Sequence, residues 1–296
     1  MSALSRRTRI GLRSIVLFYL GALLLVPVAM IFYRTFEHGL SHPIDAITSA
    51  DGLHAFWLTI VCVGVAVPLN TVFGVLTALV LVRQNFRGKA LLNAAIDLPF
   101  AISPVVIGLA LFLVYAPRNS WFGEWLMGNG IQIIFSVPGM ILATIFVSLP
   151  FVVREVMPVL QEIGTDQEEA AETLGATPWQ TFWRVTLPAI RWGVTYGVVL
   201  ATARALGEFG AVSIVAGNVS GSGGTQTLPL YVKDQFEGFN LAGAYAAALV
   251  LAILAITVLF SMNFLQKRSA QSVDADEDHD LPGPGVFVPQ PIQKEA

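Results

Sequence analysis

Residues 164–190 read GTDQEEAAETLGATPWQTFWRVTLPAI, and this segment decides how the whole chain is interpreted. Asp166 stands where a helix N-cap is expected, and Glu169, three residues later, completes a capping box. Acidic residues in the first turn also suit the positive end of the helix dipole. Gly175 is typical of the residue that follows a helix end. The segment therefore predicts a short capped helix that stops at Gly175.

A second helix start follows at once. Thr177 is the predicted N-cap, Pro178 takes the first helical position, and Gln180 closes a second capping box. The apolar face of this second helix is formed by Trp179, Phe182, Trp183 and Leu187. Apolar stretches flank the segment on both sides, so we expect a helix–turn–helix lying on a membrane surface.

The composition of the chain indicates a membrane protein. Of 296 residues, 55% are hydrophobic and 12% are charged, with a mean hydropathy of +0.68. Soluble domains carry about 25% charged residues, so this chain could not cover a water-soluble surface. The net negative charge of the chain belongs to residues 269–296, and it says nothing about partners of the body. Cys62 is the only cysteine, which excludes an internal disulfide framework.

Six apolar stretches are long enough to cross a hydrocarbon core about 30 Å thick. They are residues 14–36, 56–82, 93–115, 131–153, 193–216 and 241–266. The predicted fold class is therefore all-α, a polytopic membrane protein with about six transmembrane helices. We divide the chain into a basic N-terminus (1–13), a transmembrane domain (14–268) and an acidic, Pro-rich, disordered tail (269–296).

Basic residues predict the orientation of the spans. Lys and Arg cluster before the first stretch, near residues 83–89, within 154–191 and at 267–268, while the alternate connections are poor in them. By the positive-inside rule, both termini and the 164–190 segment lie in the cytoplasm. The first apolar stretch is too long for a cleaved signal peptide, so we interpret it as a retained helix.

The fifth apolar stretch carries two ionisable residues, Arg204 and Glu208. A charge at the bilayer centre costs roughly 2.5–3.5 kcal/mol on insertion scales, so such residues face a partner or a cavity. Residues four apart on a helix lie on one face and can pair. Two interpretations stay open: a neutralising ion pair between helices, or an arginine that lends positive potential to an anion pathway. Asp97, near the cytoplasmic end of the third stretch, is expected to cap a helix or to reach the membrane surface.

The 164–190 segment resembles the EAA signature of importer-type ABC permeases, which is E-A-A, three residues, G, nine residues and I-x-L-P. This chain has Glu169-Ala170-Ala171, then Gly175, then Val185-Thr186-Leu187-Pro188, with Val in place of Ile. The resemblance implies a type I ABC importer transmembrane domain, with residues 166–186 as the coupling helix that docks on a separate ATPase. The ATPase-coupling residues it implies are Glu169, Ala170, Ala171, Gly175, Leu187 and Pro188.

The chain carries no motif for chemistry of its own. It has no G-x-x-x-x-G-K-[ST] segment, so ATP and magnesium are expected on the partner ATPase and no cofactor or metal on this chain. Neither HExxH nor G-x-S-x-G occurs. We therefore expect a transporter subunit rather than an enzyme.

Three further segments narrow the resemblance: residues 95–111, 149–160 and 203–218 are similar to the W-type permease subunit of sulfate/thiosulfate importers. The similarity covers residues 53–266. It implies a bacterial cytoplasmic (inner) membrane location, a T-type companion permease, two ATP-binding subunits and an extracytoplasmic sulfate-binding protein. A molybdate or tungstate permease of the same family is one alternative, and an ATP-independent secondary anion transporter is another.

Overall fold

The computed structural model describes residues 6–37, 39, 41–117, 120–217 and 224–279. All the regular elements within them are helices and none is a strand, as the sequence predicts. The helices are α1 (Arg6–Phe36), α2 (Ser41–Thr48), α3 (Ala50–Arg83), α4 (Lys89–Ala101), α5 (Pro104–Tyr115), α6 (Trp121–Gly128), α7 (Val137–Ile163), α8 (Asp166–Thr173), α9 (Pro178–Thr181), a π-helical turn (Phe182–Thr186), α10 (Leu187–Ala189), α11 (Arg191–Leu206), α12 (Gly210–Val215), α13 (Leu228–Glu237) and α14 (Leu241–His279).

The number of unbroken spans differs from the six that the sequence predicts. Among the described residues, four helices are long and apolar enough to cross a membrane: α1, α3, α7 and α14. A fifth span results if α4 and α5 are counted together. The fourth predicted stretch, 131–153, is displaced, since α7 starts at Val137 and runs to Ile163. The remaining differences lie in the third and fifth stretches, both of which are broken.

The third predicted stretch, 93–115, is broken at Ser103. Helices α4 and α5 meet there at 114°. Ile102 and Ser103 both have extended backbone angles, and Pro104 opens α5. A proline disfavours helical geometry in the residue before it and cannot donate a backbone hydrogen bond to the preceding turn. The predicted stretch is therefore two helices with a sharp bend between them.

The fifth predicted stretch, 193–216, is broken as well. Helix α11 ends at Leu206, and the six-residue α12 starts at Gly210. A carboxylate oxygen of Glu208 accepts the backbone N–H of Ala211 at 2.8 Å, so this side chain starts a new helix instead of continuing the old one. With 16 residues, α11 alone is shorter than the ~20 residues that a span requires.

Helix α7 is the centre of the bundle, and glycines bring its neighbours close to it. Gly193 and Gly197 of α11 stand four residues apart, and a Cβ on Gly197 would lie 2.9 Å from Val152 Cα of α7. On the other side, a Cβ on Gly74 of α3 would lie 2.8 Å from Val152 Cβ. Small residues spaced in this way allow helix backbones to approach closely in a membrane. Val152 is fully buried as a result.

The two broken spans meet at their breaks. A Cβ on Gly108 of α5 would lie 2.6 Å from Ala211 O of α12. A Cβ on Gly210, at the start of α12, would lie 2.9 Å from Pro104 Cβ. Gly108 of α5 thus lies against α12, and Gly210 of α12 lies against the first residue of α5. Helices α5 and α12 therefore pack as a pair beside α7.

Replacing Gly74 by alanine tests the α3–α7 contact. The new methyl group would overlap Val152, so we expect Gly74→Ala to be about 1–3 kcal/mol less stable than Gly64→Ala. Gly64 is the matched control, because it lies on the same helix and a Cβ there meets nothing within 4 Å. The intrinsic helix preference for alanine cancels in the comparison. Thermal unfolding in detergent measures the difference in stability between the two variants. Equal stability would contradict the close packing of α3 against α7.

The ends of the chain are more helical than the sequence indicates. Helix α1 already begins at Arg6, inside the predicted basic N-terminus. Helix α14 continues to His279, so it includes residues 269–279 of the predicted tail. This segment has neither Gly nor Pro, and its Ala, Gln, Asp and Glu residues allow the helix to continue. Residues 280–296, the remainder of the predicted tail, lie outside the described part of the chain.

Candidate coupling site and membrane ion pair

Helix α8 carries the first half of the EAA-like segment, and its start differs from the prediction. The N-cap is Thr165, and Asp166 is the first helical residue. The hydroxyl of Thr165 donates to Glu169 Oε1 at 2.7 Å, and the Glu169 backbone N–H donates to Thr165 O at 2.9 Å. The predicted capping box between Asp166 and Glu169 is therefore wrong, because the preceding threonine takes the cap position.

The end of α8 is the glycine stop that the sequence predicts. Gly175 has φ +84°, a left-handed conformation that favours glycine. Its N–H donates to Glu172 O at 2.9 Å, and the Ala176 N–H donates to Ala171 O at 3.0 Å. These two bonds form a Schellman motif, which satisfies the last carbonyls of the helix. Helix α8 is thus closed firmly at its C-terminus.

The second half of the segment starts as predicted and then departs from a single helix. Thr177 and Gln180 form a complete capping box, with Pro178 in the first turn. After one turn of α9, the chain passes through the π-helical turn and into α10. The predicted coupling element, residues 166–186, is therefore two capped pieces and a π-helical turn. Leu187 packs against the core around α7, which joins this segment to the bundle.

The residues implied in ATPase coupling differ in exposure. Glu169, Ala170, Gly175 and Pro188 are exposed, whereas Ala171 and Leu187 are half-buried. Leu174 was not predicted as a site residue, yet 89% of it is exposed at the tip between α8 and α9. An apolar residue directly before a helix-stopping glycine is the sequence signal that could have identified it. An exposed leucine beside exposed small residues suits contact with another protein.

Three aromatic residues continue this apolar surface behind the tip. Trp179 and Trp183 pack edge-to-face with ring centroids 5.5 Å apart, and Phe182 lies against both. Trp179 and Trp183 stay exposed, while Phe182 packs against the core around α7. The three predicted aromatic residues therefore lie together, although they belong to α9 and the π-helical turn and not to one helix, and they connect the exposed tip to the bundle.

The base of α8 is held by two residues that sequence reasoning missed, Arg83 and Glu168. The Arg83 Nε lies 3.0 Å from Glu168 Oε2, and Nη2 donates to Glu168 Oε1 at 3.2 Å. Arg83 is the last residue of α3, so the contact joins positions 85 residues apart. The sequence has two weak signals of this contact: an arginine at the end of a span, and an acidic residue in the first turn of a helix.

The intramembrane pair forms as its spacing predicts. Arg204 Nη1 lies 2.6 Å from Glu208 Oε2, and only 2% of the Glu208 side chain is exposed, against 28% for Arg204. The other carboxylate oxygen caps α12 through Ala211. Glu208 is therefore bound on both oxygens at the break between α11 and α12. The Arg204 side chain stays partly exposed, so pairing and a role in an anion pathway are compatible.

Asp97 has a partner on another helix. Arg154 of α7 donates Nε to Asp97 Oδ1 at 2.8 Å, and its Nη2 contacts Asp97 Oδ2 at 2.5 Å. The same Nη2 donates to Asn93 Oδ1 at 3.1 Å. Asp97 therefore joins α4 to α7, instead of capping a helix or reaching the membrane surface on its own.

Comparison with known proteins places the chain in a family. The family described as "Binding-protein-dependent transport system inner membrane component" matches residues 70–274. The chain is 51% identical to the "Sulfate transport system permease protein CysW" of Synechocystis sp., over 86% of this chain and 92% of that protein. It is 38% identical to the "Sulfate transport system permease protein CysT" of Escherichia coli, over 87% of this chain and 92% of that protein.

A solved structure shares the fold. A bacterial ABC transporter involved in the import of the acidic polysaccharide alginate matches with a TM-score of 0.72 at 18% identity, over 89% of this chain and 96% of that chain. At this identity the match shows the fold alone, which is the all-α fold of an ABC transporter's membrane-spanning chain. Together with the 205-residue family match, it means that the chain belongs to the inner membrane components of binding-protein-dependent transport systems.

Proposed function

We propose that this chain is the membrane-spanning permease subunit of an ATP-driven importer of sulfate and thiosulfate. The observation that carries the proposal is its identity of about half with a sulfate transport permease over most of both chains. A molybdate or tungstate permease of the same family is the nearest alternative. The EAA-like segment favours ATP coupling over a secondary transporter, which would need no docking element.

The same relatives support a companion permease, and the other partners are part of the proposal. The chain is similar to both a W-type and a T-type sulfate permease, which supports a heterodimer of this chain with a T-type companion. Two ATP-binding subunits and an extracytoplasmic sulfate-binding protein complete the assembly. Both termini and α8 face the cytoplasm in this arrangement. The binding protein then meets the opposite side, where the connections 37–54, 117–130 and 217–240 hold α2, α6 and α13 in their described parts.

Coupling to the ATPase is assigned to α8 and the tip that follows it. Ala170 and Gly175 are small and exposed, so a partner can approach the backbone closely. Leu174 offers an apolar contact at the tip, and Glu169 offers a charge on the exposed first turn. Since α8 is closed by a Schellman motif and α9 begins in a capping box, the element moves as a stiff body. A stiff docking element can pass a displacement of the ATPase to the membrane helices.

The anion pathway is assigned to the region where the two broken spans meet. Arg204 places a positive charge there, and Glu208 holds it in position while capping α12. Discontinuous helices with an ionisable residue at the break are a recurring design of substrate pathways in transporters. Half-helix ends and the positive charge of the partly exposed Arg204 side chain together lower the cost of moving a dianion past this point.

Competition between oxyanions tests the substrate. The four components are reconstituted together in vesicles, and ATP-dependent uptake of labelled sulfate is measured with an excess of thiosulfate or of molybdate. We expect thiosulfate to block uptake and molybdate to leave it unchanged. Uptake that is blocked by molybdate alone would keep the ATP-driven importer and overturn sulfate as its substrate.

A further inference from the structure

Helix α8 is attached to the membrane helices by few contacts. Helix α8, all of which the structure describes, has no buried residue, so apolar packing does not hold it. Its backbone continues into α7 only through the Gly164–Thr165 turn. A docking element attached by flexible turns alone would absorb a displacement of the ATPase. Another attachment is needed for the displacement to reach the bundle.

Glu168 supplies that attachment on the side of α8. One carboxylate oxygen, Oε2, lies 3.0 Å from Arg83 Nε. The other, Oε1, accepts from Arg83 Nη2 at 3.2 Å and from the hydroxyl of Thr186 at 2.8 Å. Thr186 is buried at the end of the π-helical turn. The carboxylate therefore ties the first turn of α8 both to the end of α3 and to the start of α10.

Arg83 supplies the attachment on the side of the bundle. Besides Glu168, its guanidinium donates to the carbonyl oxygens of Leu160 at 3.0 Å and Gly164 at 2.6 Å. Both carbonyls belong to the C-terminal end of α7, where orphan acceptors and the negative end of the dipole favour a cation. Gly164 has φ +63° and ψ −158°, a region that is essentially restricted to glycine. This turn directs the Gly164 carbonyl at Arg83.

The contact differs from a surface ion pair. The side chains of Arg83 and Glu168 are 17% and 19% exposed, whereas those of the surface pair Lys233–Glu237 are 42% and 59% exposed. Several charge-assisted hydrogen bonds converge on one planar guanidinium, which fixes both its position and its orientation. A lysine has a single point charge and cannot make all of these contacts at once.

We infer that Arg83 and Glu168 form a mechanical link that transmits the movement of α8 to α3 and α7. Both are positioning residues: they touch neither ATP nor the transported anion, and they act through the coupling element. The inference rests on the proposed function, since it requires an ATPase that docks on α8. When the ATPase displaces α8, the guanidinium moves the ends of α3 and α7 together, and these helices are packed through Gly74 and Val152.

The experiment separates docking, hydrolysis and transport in the complete reconstituted complex. Arg83→Ala, Arg83→Lys, Glu168→Ala and the double variant Arg83→Ala/Glu168→Ala are compared with wild type. Arg87→Ala is the matched control, because Arg87 is an exposed arginine four residues further along the same connection. The readouts are co-purification of the ATPase and the amount of sulfate transported per ATP hydrolysed.

We expect the ATPase to stay bound in Arg83→Ala and Glu168→Ala, while the amount of sulfate transported per ATP falls about tenfold or more. The reason is that each variant loses the charge-assisted hydrogen bonds that join α8 to the ends of α3 and α7. Arg83→Lys should fall between Arg83→Ala and wild type. The double variant should be no worse than either single variant, because both residues act through one contact. Arg87→Ala should match wild type.

Two results would overturn the link. An unchanged transport-to-hydrolysis ratio in Arg83→Ala would do so, and so would losses in the two single variants that add fully in the double variant. Failure of the proposed function gives a different result, since the wild-type complex itself would then transport no sulfate. In that case co-purification of the ATPase still reports on docking by α8.

Discussion

Arg204→Ala is expected to destabilise the protein by about 3–5 kcal/mol, the cost of breaking a buried ion pair by removing one partner. Glu208 is 2% exposed, and its Oε2 lies 2.6 Å from Arg204 Nη1. Without the guanidinium, the carboxylate is left inside the helix bundle with the Ala211 N–H as its remaining described contact. The break that joins α11 to α12 would then lose its anchor. Thermal unfolding of purified protein in detergent measures the effect.

Two control variants identify the cause of the loss. In Arg204→Ala/Glu208→Gln the unpaired charge is gone, while an amide oxygen can still accept the Ala211 N–H, so most of the stability should return. Lys233→Ala removes one partner of an exposed i,i+4 pair, and surface pairs contribute about 0–1 kcal/mol. If Arg204→Ala were as stable as Lys233→Ala, the buried pair would not hold the break together.

Glu169→Lys is expected to abolish ATP-dependent uptake while the protein still inserts and folds. Glu169 is exposed in the first turn of α8, where its local contacts are the Thr165 hydroxyl and the helix dipole. A charge at a helix end contributes about 0.3–1 kcal/mol, so the helix should survive the reversal. Reversing a charge on a docking surface costs several kcal/mol of association free energy. The affinity for the ATPase should therefore fall about 100-fold or more. The measurement is sulfate uptake at matched membrane expression.

Glu162→Lys is the matched control for that reversal. Glu162 is also exposed and lies on the last turn of α7, outside the docking element. A lysine there meets the negative end of the helix dipole and should be tolerated. Uptake at the wild-type rate by well-expressed Glu169→Lys would mean that α8 does not couple this chain to an ATPase.

Much of the fold follows from local sequence properties. The spans α1, α3 and α14 coincide with continuous apolar runs, because the bilayer requires about 20 apolar residues and the backbone must satisfy its own hydrogen bonds. The breaks are harder to predict. Pro104 is a sequence signal for a break in the helix. A 114° bend, however, also requires α5 to pack closely against α12 at Gly108 and Gly210. The residues of α12 that make this packing possible lie about 100 positions further along the chain.

In the candidate site too, local motifs could be predicted from the sequence, whereas contacts between distant helices could not. The glycine stop at Gly175 and the capping box at Thr177 are local motifs, and both are present as predicted. The cap of α8 was misassigned, because Thr165 and Asp166 are both good N-cap residues and the local sequence alone does not decide between them. The Arg83–Glu168 contact could not be predicted from one sequence. It depends on the ends of α3 and α7 meeting next to the first turn of α8, which is a property of the packed bundle.

The central claim is that this chain transports sulfate only when a separate ATPase acts on α8. The most direct test is uptake of labelled sulfate into vesicles that contain this chain, the companion permease, the ATPase and the binding protein, with and without ATP. We predict accumulation that requires both ATP and the ATPase and that is lost in Glu169→Lys. Equal sulfate entry into vesicles that contain this chain alone, without ATP, would contradict the account and identify a self-sufficient anion transporter instead.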